Sequence, residues 1–164
     1  MPTTRTLSAT FVEPGPDADN RLRSEAATES GYQLLFDTLT AGEGGIGPSP
    51  TDTVLAALAA CTAMDVASIL RKKRQRVDDY RIEVTGRKAD EHPQVFTAIT
   101  VEHQVAGHVT VDALRRSVEL SATAYCPVSA MLSASVPIDH RYRLRRDGMD
   151  DVTGVAAHTG PAAG

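Results

Sequence analysis

The stretch from Ser49 to Arg76, "SPTDTVLAALAACTAMDVASILRKKRQR", constrains the fold more than any other. Ser49 stands where an N-cap belongs, Pro50 takes the first helical position, and Asp52 follows the cap by three residues, as in a capping box. The residues beyond are Ala-rich and apolar for four turns, and the basic cluster "RKKRQR" suits the negative end of a helix dipole. The pattern predicts a helix of about 22 residues, roughly 33 Å long at 1.5 Å per residue. A helix that is apolar nearly all round must be covered on most sides. One small sheet cannot do that, so a second copy of the chain is the natural lid and an obligate dimer is expected. Val54 to Leu70 is short of a bilayer span and is interrupted by Thr62, Asp65 and Ser68, so a transmembrane helix is not expected.

The segments around this helix read mostly as strands. "RTLSATFVE" alternates mildly, and residues 21–28 and 32–37 flank the turn signal "ESG", which predicts a hairpin. After the helix, "DYRIEVTGR" and "VFTAITVEHQVAG" alternate with period two. Val111, Leu114, Val118, Ala122 and Tyr125 then have helical spacing, Pro127 opens a further short helical turn, and "VPIDHRYRLRR" reads as a last strand. The fold class expected is α+β with an antiparallel sheet. Residues 1–150 should form one domain, and 151–164, small, polar and rich in Gly and Pro, a disordered tail.

Composition narrows the function. Hydrophobic content of 41% and charged content of 23% are those of a globular protein of 164 residues, long enough for one real core. A net charge of −4 gives no reason to expect nucleic-acid or membrane partners. The opening "MPTTRTLSAT" lacks the apolar stretch of a signal peptide, so a cytoplasmic location is expected. Gly42, Gly44 and Gly47 formally spell G-x-G-x-x-G, but Pro48 and Pro50 separate them from the helix that would have to meet a phosphate. His92, His103, His108, His140 and His158 are scattered and the two cysteines lie 65 residues apart, so neither a metal site nor a cofactor is expected.

The thiols remain. Free cysteine is usually a small buried hydrophobe. Against that, small neighbours flank Cys61 (Ala59, Ala60, Ala63), and Cys126 precedes Pro127 where backbone N–H groups can stabilise a thiolate. Asp65, four residues on from Cys61 and on the same helix face, opposes a negative sulfur there, so a reactive Cys61 needs a cation from elsewhere.

"GPSPTDTVLAALAACTAMDVASILRKKR" followed by "TAYCPVSAML" resembles the OsmC/Ohr family of osmotically inducible and organic-hydroperoxide-resistance proteins, over roughly residues 20–145 and closest to its OsmC-like branch. The resemblance implies an OsmC-like fold, with antiparallel sheets around long central helices in an intertwined homodimer, and active sites at the interface. It implies thiol-dependent reduction of organic hydroperoxides, with Cys61 peroxidatic and Cys126 resolving. An apolar pocket around Cys61 would hold the alkyl chain. A small dithiol, or a lipoyl-bearing or thioredoxin-like protein, would restore the thiols.

The family pairs its peroxidatic thiolate with an Arg and a Glu. Asp52 is the nearest equivalent of the Glu. It serves equally well as part of the cap and, lying nine residues and roughly 13 Å along one helix from Cys61, would reach that thiol only from the partner chain. Arg21 and Arg23 are the candidates for the Arg, or else simply a solvated strand face. If neither reaches Cys61, turnover is weak. Two alternatives stay open: a non-catalytic dimer of this fold that binds a small apolar ligand or senses oxidants, and a purely structural dimer with inert thiols.

Overall fold

A computed structural model of the chain describes residues 4–12, 22–38, 41–146 and 148–162. It falls into two compact units, Met1–Val54 and Leu55–Gly164.

The first unit is a three-stranded antiparallel sheet in the order β1 (Leu7–Val12), β2 (Arg23–Thr28), β3 (Gln33–Asp37). The expected turn joins β2 to β3: Gly31, at φ 85°, donates its N–H to the Thr28 carbonyl. Arg23 and Asp37 face each other in the register and form an ion pair at 3.1 Å with the carboxylate fully buried. The Asp37 carboxylate also accepts the Ile46 N–H. The glycine loop has a packing reason. A Cβ at Gly47 would run into the backbone of Leu35 and Phe36, so only glycine fits against β3.

Helix α1 (Pro50–Lys72) has the predicted limits, and the Ser49 hydroxyl accepts the Asp52 N–H at 3.2 Å. It is not buried on most sides in the single chain. Leu58, Thr62, Val66 and Leu70, spaced by four, form one fully buried stripe, whereas Met64 is 74% exposed. By length and hydropathy α1 is long and apolar enough to cross a membrane, which the shorter stretch Val54–Leu70 does not reveal. Its fully buried stripe packs into the apolar clusters of the chain.

In the second unit, β4 (Arg76–Lys88) and β5 (Phe96–His108) form a long antiparallel hairpin. α2 (Val111–Leu120) follows, capped by the Thr110 hydroxyl. A π-helical turn (Ser121–Tyr125), α3 (Pro127–Leu132), β6 (Ile138–Arg145) and β7 (Val152–Thr159) complete the chain. The sheet order is β4-β5-β6-β7. The helices between β5 and β6 act as a crossover, so those two strands run parallel in an otherwise antiparallel sheet, a departure from the all-antiparallel expectation.

The segment expected to be a disordered tail is in fact β7, hydrogen-bonded along β6. Its small residues fit there for a steric reason. A Cβ at Gly154 would collide with the Tyr142 ring. Inward rows of β5 (Ile99, Val101, His103, Val105) and β6 (Ile138, His140, Tyr142, Leu144) are buried. Two apolar clusters cover them: Val66 and Leu70 with Leu114 and Val118 of α2, and Leu58 with Cys126 and Val136.

Candidate functional site

Cys61 sits half-buried in the middle of α1, with its sulfur directed into the Leu58 cluster. Cys126 is a buried member of the same cluster. The π-helical turn ends in an extended residue at φ −75° and ψ 108°, which makes Cys126 the N-cap of α3, with Pro127 at the permitted first position. Its Sγ accepts the Ser129 N–H at 3.3 Å, and its own N–H is held by the Ser121 carbonyl at 2.9 Å. Only 2% of Cys126 is exposed.

These constraints bring together residues 65 apart in sequence. Sγ of Cys61, Sγ of Cys126 and a carboxylate oxygen of Asp65 all lie within 4.8 Å of one another. The N–H contact expected to favour a Cys126 thiolate is present, but burial outweighs it. Burial, and then the neighbouring Cys61 thiol, raise Cys126 above the usual thiol range, while the Ser129 and Val128 N–H groups offset only part. Asp65 is held by the Ser121 hydroxyl, which donates to Oδ2 at 3.1 Å.

Ser129 links Cys126 to buried polar groups on the sheet. Ser129 Oγ is 3.4 Å from His140 Nε2, which also meets Thr159 Oγ1 at 3.2 Å. Tyr80 and His103 share a hydrogen bond, oxygen to Nδ1, of 2.6 Å. Burial, and then the Asp65 charge, raise the Tyr80 hydroxyl. Burial lowers His140 to about 4, and burial together with His140 lowers His103 to about 3, so both rings are neutral at pH 7. Among the described residues, His103 Nε2 and His140 Nδ1 find no hydrogen-bond partner. The signal was available in the sequence: His103 lies between Val101 and Val105, and His140 between Ile138 and Tyr142, on inward rows.

Two of the remaining expected site residues are described. Asp52 is exposed in the first turn of α1, and the carboxylate beside the sulfurs is Asp65. Arg23 is committed to Asp37, and Arg21 lies outside the described residues. A hollow of about 230 Å³ adjoins Asp65, lined by Ser68, Ile69, Lys72, Leu120 and Tyr125. It is mixed in character, and neither cysteine lines it. A larger hollow, about 750 Å³, lies by Arg76, Gly107 and Arg145, and neither cysteine lines it.

Two thiols at this separation are equipped for reversible disulfide chemistry. A Cys61–Cys126 disulfide requires the sulfurs to close to about 2.05 Å, and Cys126 is held by its contacts with Ser129 and Ser121.

Known proteins share this arrangement of chain. A family model described as OsmC-like protein matches residues 42–141. Protein YhfA of Escherichia coli K12 is 41% identical over 116 residues, which span 70% of this chain and 84% of that protein. The crystal structure of an OsmC-like protein from Mycoplasma pneumoniae superposes with a TM-score of 0.74 at 15% identity, over 89% of this chain and 100% of the other. An organic hydroperoxide resistance protein from Elizabethkingia anophelis superposes with a TM-score of 0.60 at 16% identity, over 90% and 100% of the two chains. At those identities the two structures speak for the fold alone.

Proposed function

The chain belongs to the OsmC-like protein family, and on that premise we propose that it is a thiol-dependent peroxidase that reduces organic hydroperoxides in oxidative-stress defence. The observation that carries this reading is the pair of sulfurs within 4.8 Å, one half-buried and one capped in place.

The steps balance as follows. The Cys61 sulfur attacks the hydroperoxide O–O bond, the alcohol leaves with the thiol proton, and Cys61 becomes a sulfenic acid. The Cys126 sulfur then displaces that hydroxyl as water, which closes a Cys61–Cys126 disulfide. A small dithiol, or a lipoyl-bearing or thioredoxin-like protein, returns two electrons and two protons by thiol–disulfide exchange. The chain works in the cytoplasm as a homodimer. The exposed apolar side of α1, Met64 above all, supports a covering partner, and Asp52 reaches the thiols from that partner's helix.

Replacing Cys61 with Ser should abolish consumption of cumene hydroperoxide while the circular-dichroism spectrum is kept. A serine variant that turns over as fast as the parent sinks the proposal. One observation favours a second reading, a binder or oxidant sensor without useful turnover: a carboxylate, Asp65, stands beside the two sulfurs. That reading predicts stabilisation by an apolar ligand with no peroxide consumed.

A further inference from the structure

Cys61, Asp65 and Cys126 are an unusual trio for thiol chemistry alone. All three carry negative charge when deprotonated, and among the described residues no Lys or Arg forms an ion pair with Asp65. Three atoms no more than 4.8 Å apart share a centre no farther than about 2.8 Å from each, whereas zinc binds thiolate at roughly 2.3 Å and carboxylate at roughly 2.0–2.2 Å. A shift of about half an ångström in each side chain therefore closes the trio on a cation of that size.

We propose that the reduced protein binds a thiophilic divalent cation of the zinc class through Cys61, Asp65 and Cys126, with solvent or an exogenous ligand in the fourth position.

The surroundings of the trio support this. Metal-bound thiolates and carboxylates are held by outer hydrogen bonds that fix their direction. The Ser129 N–H does this for Cys126 at 3.3 Å, and the Ser121 hydroxyl does it for Asp65 at 3.1 Å. Cys126 is buried and the other two are half-buried, so water competes weakly, while the hollow beside Asp65 gives an ion a way in. Two sulfurs and an oxygen suit a borderline-soft cation better than magnesium or calcium, which take oxygen alone. Binding releases the two thiol protons and involves no electron transfer. It also needs both thiols reduced: a Cys61–Cys126 disulfide removes two of the three ligands. The cation and an oxidant thus exclude each other at this site, and a bound metal shields the thiols. The site does not depend on whether the protein turns over peroxide.

The test is a titration of the full-length, chelator-treated, reduced protein with Co(II) in the absence of oxygen, followed by displacement with Zn(II). The expected result is one Co(II) per chain, with sulfur-to-cobalt charge-transfer absorption in the near ultraviolet and the strong visible bands of a four-coordinate site. Asp65→Asn should weaken Zn(II) by about a hundredfold or more, since losing a ligand costs more than the roughly 10–100-fold for losing an outer partner. Cys61→Ser should lose about half of the charge-transfer intensity, and the disulfide form should lose all of it. Because Cys126 is part of the core, the half-buried Asp65 and Cys61 variants carry the test. Absence of charge-transfer absorption in the parent, or an Asp65→Asn affinity equal to the parent's, overturns the proposal. Neither result bears on peroxide consumption, which is measured separately on metal-free protein.

Discussion

At the residue scale, the buried histidines give the molecule a pH dependence with a definite sign. An unfolded histidine titrates near 6.5, whereas in the folded chain burial holds His140 at about 4 and burial with His140 holds His103 at about 3. Between those values the unfolded chain binds more protons than the folded one. Stability is therefore complete above pH 6.5 and declines as the pH falls toward 4, by up to about 1.4 kcal/mol per pH unit for each ring. Urea midpoints measured from pH 7.5 to 4.5 should fall across that window, and His103→Gln should lessen the slope. A flat profile down to pH 4.5 contradicts the assignment. The thiol pair was legible at this scale because each cysteine stands in a distinctive segment. The histidine layer was not, because scattered histidines carry no spacing signal until strand alternation is used to decide which of them point inward. The Cys61–Asp65–Cys126 trio was hidden for a related reason: spacing along the chain says nothing about residues that a crossover and an N-cap bring together.

At the element scale, α1 was readable almost to the residue, because Ser49, Pro50 and Asp52 mark its start chemically and the basic cluster marks its end. β7 was not readable. "VTGVAAHT" has few of the large β-formers that usually announce a strand, and its pairing rests on the backbone ladder with β6 and on room for the Tyr142 ring above Gly154. Gly154→Val should displace that ring and cost about 1–3 kcal/mol, measurable by urea denaturation. An unchanged midpoint would show that β7 does not pack as described. The parallel pairing of β5 and β6 was hidden for a similar reason. Nothing in either strand encodes direction; the two short helices between them do.

At the scale of the whole molecule, the α+β class was legible from the order of strand and helix patterns and the family from the two cysteine segments, and the family match over residues 42–141 agrees with the latter. The division into two compact units was not, since its boundary falls inside α1. The apolar helix predicts a partner. Light scattering should give twice the 17.4 kDa chain mass, and Met64→Lys should shift the population toward monomer. A parent protein that stays monomeric at high concentration removes the basis for assigning Asp52 to a partner's site.

The central claim, that Cys61 and Cys126 are a peroxide-reactive pair, is tested most directly by the intact mass of the reduced protein after a brief pulse of cumene hydroperoxide. The account predicts a loss of two hydrogens in the parent. It predicts a gain of one oxygen, trapped as the Cys61 sulfenic acid, when Cys126 is replaced. A mass unchanged over minutes in excess peroxide contradicts it and leaves the fold to a binding role.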